Sequence, residues 1–402
     1  MEQGLLSGLK VIEYGEGVSA PLCTRMLADL GAEVIKVEPP ITGDSTRSEG
    51  PFLENSPSQE ASGLFLFLNV NKKSVTLDPR RTTGKRLFRE LLRNADLLVT
   101  NYPPRELAAK GLSSDALAGV NPRLVFTSIT PFGSTGPYRD YKAYPINPMH
   151  LSGTASAIGD PDREPLPLPE AQSSFYAAIM AAGASLCALA ASDATGRGQQ
   201  VEVSEADCLA MMVIGPGAIR NESIGTSVPR TGHRMPTMWP NTVLPCKDGY
   251  FTLIAAEEWQ WQRFVQVMGN PSWASDPLFQ NRVSRWNYCD VLENLVVPWL
   301  MEHDKEELFK LCQESRVPSA PIYDAREVLN SPQLKERGFL ATVEHPVAGP
   351  LPYPGEPFIL SEAPWRMRRP APLLGQHNRE VYCGRMGLSN VDLVSLHHAG
   401  VI

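Results

Sequence analysis

Seven cysteines, scattered from Cys23 to Cys383, never fall into a CxxC or a Cys/His ligand spacing. That argues against structural zinc, so no metal is expected, and against a disulfide scaffold. The odd count suits a reducing compartment, and a cytoplasmic location is the expectation. Positive charge is also in short supply. Thirty-seven Lys and Arg face 44 Asp and Glu for a net charge of -7, which leaves no basic field for a phosphodiester backbone and excludes nucleic acid as an expected partner. A small anionic ligand needs only a local cluster. No basic, apolar and small-residue leader opens the chain, since Met1-Glu-Gln-Gly runs straight into strand-like sequence. Long apolar runs are nearly absent. The longest, Phe175 to Ala191, is rich in Ala and lacks aromatic belts and flanking basic residues, so it reads as a buried core helix and no membrane partner is expected. There is no internal repeat and no low-complexity tract.

What is present is an alternation of short apolar runs and amphipathic segments. Leu9 to Glu13, Glu33 to Glu38, Asp96 to Asn101 and Leu124 to Ile129 read as strands. Cys23 to Leu30, Thr83 to Asn94 and Ser114 to Gly119 read as helices between them. That order predicts an α/β fold with an open, largely parallel sheet. The stretch 215–245, rich in Gly, Pro and Arg, is the expected linker after a large domain of residues 1–214. A small domain over 246–325 follows, with strand-like Gly249 to Ala255 and helical Trp259 to Met268, Val291 to His303 and Lys305 to Ser315. Residues 326–402 would return to the large domain, ending in a helical piece near Val391 to His398. After the first strand comes Gly15-Glu-Gly17-Val-Ser-Ala20, a literal GxGxxA, with Glu38 closing the next strand. In a dinucleotide site such glycines admit a pyrophosphate to a helix N-terminus and the acid accepts from a ribose hydroxyl. Glu16 beside the phosphates and Pro21 at the helix start weigh against that use, and a tight βα turn needing small residues is the other reading.

The run Met26 to Pro40 (MLADLGAEVIKVEPP) resembles the N-terminal signature of family III CoA-transferases, the formyl-CoA, carnitine and bile-acid type. Further landmarks of that family follow in order: Gly43 to Arg47 (GDSTR), Asn71 to Asp78 (NKKSVTLD), Asn101-Tyr-Pro, Gly133 to Tyr138 (GSTGPY), Leu151-Ser-Gly153, Val317 to Pro321 (VPSAP), Glu344-His-Pro346 and Leu374 to Asn378 (LGQHN). Each is weak alone, but together they span almost the whole chain. The resemblance implies a Rossmann-like large domain built from both ends of the chain, a smaller α/β domain inserted between them, and two chains interlocked as a dimer. It implies coenzyme A and acyl-CoA as substrate with a carboxylic acid as acceptor. The implied CoA contacts are Val18 and Ser19, Leu77 to Arg80, Asn101 and Tyr102, and Lys142, Ala143 and Tyr144.

In the family an Asp forms the acyl anhydride and aspartyl-CoA thioester. The matching position here, in Leu166 to Ser174 (LPLPEAQSS), is Ser174. A serine hydroxyl needs a base, and its ester resists thiolate attack far more than an anhydride does. The near carboxylate in sequence is Glu170, a substitute nucleophile if the frame slips by four residues. No GxSxG elbow surrounds Ser174, which disfavours an acyl-serine hydrolase. Tyr144 and Ser174 stand where the family's α-methylacyl-CoA racemases carry a His and an Asp, and His150 nearby reads as structural. Further departures are Glu16 and Pro39 in place of Arg, Pro145 in place of an acid, Lys110 as the remaining basic contact before Gly111, and no glycine-rich flap in Asn221 to Gly232. Trp239, Trp259 and Trp261 are candidates for an aromatic pocket, with core packing the alternative. The expected function is therefore a catalytically silent subunit of a heteromeric CoA-transferase, partnered by a homologous Asp-bearing subunit. This resembles the division of labour in the succinyl-CoA:(R)-benzylsuccinate CoA-transferases of toluene degradation. A homodimeric enzyme using Glu170 or an unrecognised nucleophile, and a non-catalytic CoA-ester-binding protein, are the alternatives.

Overall fold

The computed structural model describes residues 4–53, 57–169, 171–212, 223, 225 and 229–402. Six strands, β1 (Lys10–Glu13), β2 (Glu33–Glu38), β3 (Lys73–Thr76), β4 (Leu97–Thr100), β5 (Val125–Thr130) and β6 (Gln200–Ser204), form one parallel sheet in the order β3-β2-β1-β4-β5-β6. This is the doubly wound order whose crossovers place helices on both faces. Such strands are buried on both sides. Val11, Val34, Leu97, Val99 and Val125 enter one core with α1 (Ser19–Asp29) and α7 (Gln172–Thr195). Ile12, Ile35, Leu98 and Phe126 enter the other, which is covered by α3 (Thr82–Arg93) and α5 (Ser114–Val120). The alternation along each strand is the two-residue period of the pleat. Three shorter helices, α2 (Gly63–Leu68), α4 (Pro104–Ala109) and α6 (Ile146–Leu151), complete this part of the chain.

The chain divides into two compact units. One comprises Met1–Thr154, Pro167–Ile219 and Lys335–Ile402, and the other comprises Ala155–Leu166 and Arg220–Leu334. In the first, the C-terminal residues Val401 and Ile402 enter the core on the α3 side, and the Asp78 amide donates to the Val401 carbonyl at 2.8 Å. In the second, Asn241–Cys246, Gly249–Ile254 and Ser319–Pro321 form a three-stranded antiparallel sheet. The stretch expected to be linker as far as residue 245 thus ends in a strand. Its buried positions are Thr242, Leu244 and Cys246, and a polar Thr on that face with an apolar Val243 on the other hid the alternation in the sequence. Much of residues 213–228 lies outside the described residues.

The strand readings differ from the structure by about a residue at the ends, but β3 and β6 were not expected. β3 carries Lys73 and Ser74 on a buried strand. Their side chains are satisfied by Glu33 and Glu380 at 2.6 Å each and by Glu38 at 2.5 Å, a tertiary arrangement that no local apolar pattern announces. The run expected as an enclosed core helix is the 24-residue α7. Ala177, Ala178, Ala181 and Ala182 are buried, with small side chains that let it close on α1. The opposite face leaves Ile179 and Met180 exposed. By length and composition alone it is apolar enough to cross a membrane, and here one of its faces lies on a sheet.

A buried ion network runs beneath the β1–α1 loop. Lys36 reaches Glu13 at 2.5 Å and Asp44 at 2.6 Å, and Lys72 reaches Glu13 at 2.8 Å. Thr24 donates to the same carboxylate at 2.5 Å. Burial alone would raise the Glu13 carboxyl, but the two ammonium groups overrule it and hold it at about 2.

Candidate functional site

The glycine-rich turn does not offer the groups of a dinucleotide site. The Glu16 amide donates to Asn101 Oδ1 at 3.1 Å and the Gly17 amide to Asp44 Oδ1 at 3.2 Å. Glu38 is buried and gripped by Arg47, with Nε to Oε2 at 2.7 Å and Nη2 to Oε1 at 2.9 Å. Glu38 is therefore not free to accept from a ribose, and the tight-turn reading holds. A Cβ on Gly15 would lie 2.6 Å from Asn101 Oδ1 and 2.8 Å from Ala20 Cβ, which is why the turn needs glycine at that position. Asn101 ties the turn to β4 by donating to the Glu16 carbonyl at 2.6 Å and to Ser19 Oγ at 3.2 Å.

This turn forms one wall of a cleft of about 600 Å³ at the carboxyl ends of the parallel strands, where open α/β sheets bind ligands. Glu16 to Ser19 follow β1, Asn101 follows β4, and Ile129 and Pro131 mark the end of β5. Ala143, Tyr144 and Pro145 add the opposite wall, and Ser174 and Phe175 project from the first turns of α7. At the end of β6 stands Glu205, where the chain turns into a helix. Its carboxylate accepts from Ser174 Oγ on Oε1 and from Ser173 Oγ on Oε2, both at 2.9 Å. Ser19 bonds to it as well. Glu205 is 6% exposed. Burial pushes its carboxyl above the usual carboxylate range, and the three serine hydroxyls pull it only partly back. The N-terminus of α7 lies alongside, since Ser173 and Ser174 belong to its first turn, and its dipole favours negative charge there.

Of the residues expected at the site, Val18, Ser19, Asn101, Ala143, Tyr144 and Ser174 line this one cleft, as do the departures Glu16 and Pro145. Others lie elsewhere. Leu77 is 1% exposed within the core on the α3 side, so its side chain is closed to a ligand. Arg80 is exposed and pairs with Asp78 at 2.8 Å. Tyr102 packs on Tyr14, ring centroids 4.8 Å apart, under the Lys110 ammonium. Lys110 is itself paired with Glu106. Lys142 is exposed, its Nζ 5.5 Å from the Tyr144 ring. His150 is exposed and bonds the Ile146 carbonyl. Glu170 lies outside the described residues, as does half of the flap segment. Trp239 and Trp261 belong to the core of the second unit and Trp259 is half exposed, so the three do not make an aromatic pocket.

Sequence reasoning missed Glu205. It is 31 residues from Ser174, and in the run Gln200 to Cys208 (QVEVSEADC) it reads as one acid among several. The available signal was positional, an acid immediately after a period-two strand and so at the carboxyl edge of a parallel sheet. Among the described residues lining the cleft there is no Lys or Arg, whereas Glu16, Glu49 and Glu205 are acidic. This lining offers no cation to a phosphate group. Among the described residues no cluster of His, Cys, Asp and Glu could hold a metal ion.

Comparison with known proteins agrees with this architecture. The model of CoA-transferase family III matches residues 6–378. The chain is 31% identical to a succinate–glutarate CoA-transferase of Agrobacterium fabrum, over 94% of each chain. It is 32% identical to a formyl-CoA:oxalate CoA-transferase of Streptomyces avermitilis, over 99% of each. A succinyl-CoA–D-citramalate CoA-transferase of Chloroflexus aurantiacus is also 32% identical, over 99% of this chain and 98% of its own. Among solved structures, a CAIB/BAIF family protein from Brucella suis superimposes with a TM-score of 0.88 at 29% identity, covering 95% of this chain and all of the other. From the parallel sheet to the cleft at its carboxyl edge, and along nearly its whole length, this chain belongs to CoA-transferase family III.

Proposed function

We propose that this chain moves CoA between an acyl-CoA and a carboxylic acid without help from a second kind of subunit. One observation carries the reading: a buried carboxylate, Glu205, stands in the cleft against Ser174, the residue at the family's nucleophile position. A chain that had lost its carboxylate chemistry would have no reason to bury an acid there, because burying a carboxylate without a cation is costly. The interlocked dimer that the family resemblance implies, here of two like chains, and the cytoplasmic setting expected from the sequence belong to this reading. The purified chain alone is expected to exchange CoA between succinyl-CoA and isotopically labelled succinate, or between another acyl-CoA and its own acid. Mass spectrometry of the thioester pool is the measurement.

The serine itself favours a second reading, a silent subunit whose Asp-bearing homologue does the chemistry, with succinyl-CoA and benzylsuccinate as the substrates. Exchange that arises only on mixing with such a homologue supports it, and exchange by the isolated chain excludes it. Ser174→Asp is informative under either reading. Its carboxylate would face Glu205 at hydrogen-bond distance, and two such groups cannot both ionise freely. One proton is therefore retained in the folded variant at a pH where the unfolded chain has released it. A raised folded value makes stability fall, relative to wild type, as pH rises through and beyond the ordinary carboxylate range, and thermal unfolding across that range measures it. A variant stability profile parallel to wild type over the same range would show that the two groups do not meet.

A further inference from the structure

We propose that Glu205 is the residue that carries the acyl group and CoA covalently, replacing from the end of β6 the carboxylate that Ser174 cannot supply. The proposal rests on the functional reading above and names its nucleophile. Three features place the carboxylate for this role. It lines the cleft at the carboxyl edge of the sheet, within a hydrogen bond of Ser174. No ammonium or guanidinium among the described residues is bonded to it, only hydroxyls of Ser19, Ser173 and Ser174. A carboxylate locked to a cation, as Glu38 is to Arg47, would be a poor nucleophile. One held by hydroxyls keeps its lone pairs available and its basicity raised. Finally, Ser173 and Ser174 are fixed by the first turn of α7, and the single proton of Ser173 is shared between Glu205 at 2.9 Å and the Pro145 carbonyl at 3.1 Å. The donors are thus preorganised on a rigid element.

The chemistry balances with the two substrates alone. The Glu205 carboxylate adds to the thioester carbonyl, the C–S bond breaks, and a mixed anhydride forms with release of CoA thiolate. The thiolate attacks the Glu205 acyl carbon, giving a glutamyl-CoA thioester and freeing the first carboxylate. The acceptor carboxylate then attacks that thioester to form a second anhydride and thiolate. Attack of the thiolate on the acceptor acyl carbon yields the new acyl-CoA and restores Glu205. No proton need be gained or lost in the cycle. Oxyanions formed at each addition would lie beside the serine hydroxyls, which can pass their hydrogen bonds to the developing charge.

The test uses the full chain with succinyl-CoA, and with formyl-CoA and acetyl-CoA as further donors, each against its own labelled acid. Borohydride added during turnover reduces a glutamyl thioester to the alcohol, and peptide mass spectrometry locates the modified residue. The expected result is modification at Glu205. Glu205→Gln, isosteric and checked for folding by circular dichroism, should lower exchange by at least about 1,000-fold and abolish the label. Ser174→Ala should exchange more slowly yet still be labelled at Glu205. Exchange that survives in Glu205→Gln, a label on another residue, or a folded Ser174→Ala chain that takes no label overturns the inference and leaves the functional reading intact. A wild-type chain that exchanges none of the donors overturns the functional reading, and the inference falls with it.

Discussion

Replacing Glu13 with alanine is expected to destabilise the protein by about 3–5 kcal/mol, because it leaves two buried ammonium groups without the carboxylate they share. Lys36 and Lys72 both reach Glu13, and all three side chains are fully buried. Lys36 would keep Asp44. Lys72 would keep only the Pro21 carbonyl at 2.7 Å and Asn69 Oδ1 at 2.9 Å. Burial, with repulsion from Lys36, already brings the Lys72 ammonium down to about 8 against the pull of Glu13, so without that carboxylate it should shed its proton more readily. Urea unfolding at pH 7 measures the loss, and a change under about 1 kcal/mol would show that the network contributes little. The pH dependence has a definite sign. The folded carboxyl is held at about 2 against an ordinary 4.5, so Glu13 contributes its full stabilisation above pH 4.5. That contribution is lost as pH falls towards 2. The wild-type chain should lose stability through this window, and the Glu13→Ala chain should lack that part of the acid response.

Arg47→Ala is expected to cost a similar amount, about 3–5 kcal/mol. The guanidinium is fully buried, forms two bonds to Glu38, pairs with Glu60 at 2.7 Å, and donates to the Pro372 carbonyl at 3.0 Å. It also lies 3.7 Å over the Phe65 ring. Removing it leaves the buried Glu38 carboxylate without its cation, held by Ser74 Oγ at 2.5 Å and the Asp44 amide at 3.0 Å, and releases an anchor of the C-terminal segment from β2. Arg47→Lys should recover less than half of the loss, since an ammonium cannot form the paired bonds or lie flat on the ring. Chemical denaturation of both variants decides this. Equal stability of the Lys variant and the wild type would mean that charge alone, and not the planar fork, is what the site requires.

Arg47 also illustrates where sequence legibility ended. In the run Gly43 to Arg47 it is a family landmark with no visible partner, and Glu38 reads as the acid of a nucleotide fingerprint. Only folding brings them together, which gives Arg47 its partner and removes the nucleotide reading of Glu38. β2 could be read from its apolar residues alone, whereas β3 could not. Its polar side chains are satisfied by tertiary partners, Lys73 by Glu33 and Glu380, which are 40 and 307 residues away. The alanine-rich α7 shows the same limit in another form. With small apolar residues around its circumference no periodicity marks the buried face, and the packing against α1 chooses it.

The candidate site divides along the same line. Local sequence determined the strand–turn–helix at Gly15 to Ser19, the α/β class, the family landmarks and the absence of an Asp at position 174. All of these depend on residue type over short spans. Tertiary structure decided that Val18, Ser19, Asn101, Tyr144 and Ser174 share a cleft while Leu77 and Arg80 do not, and that Glu205 faces Ser174. The physical reason lies in the parallel sheet. Its crossover connections bring the ends of strands distant in sequence to one edge, so a carboxylate absent from the nucleophile segment can be supplied by another strand.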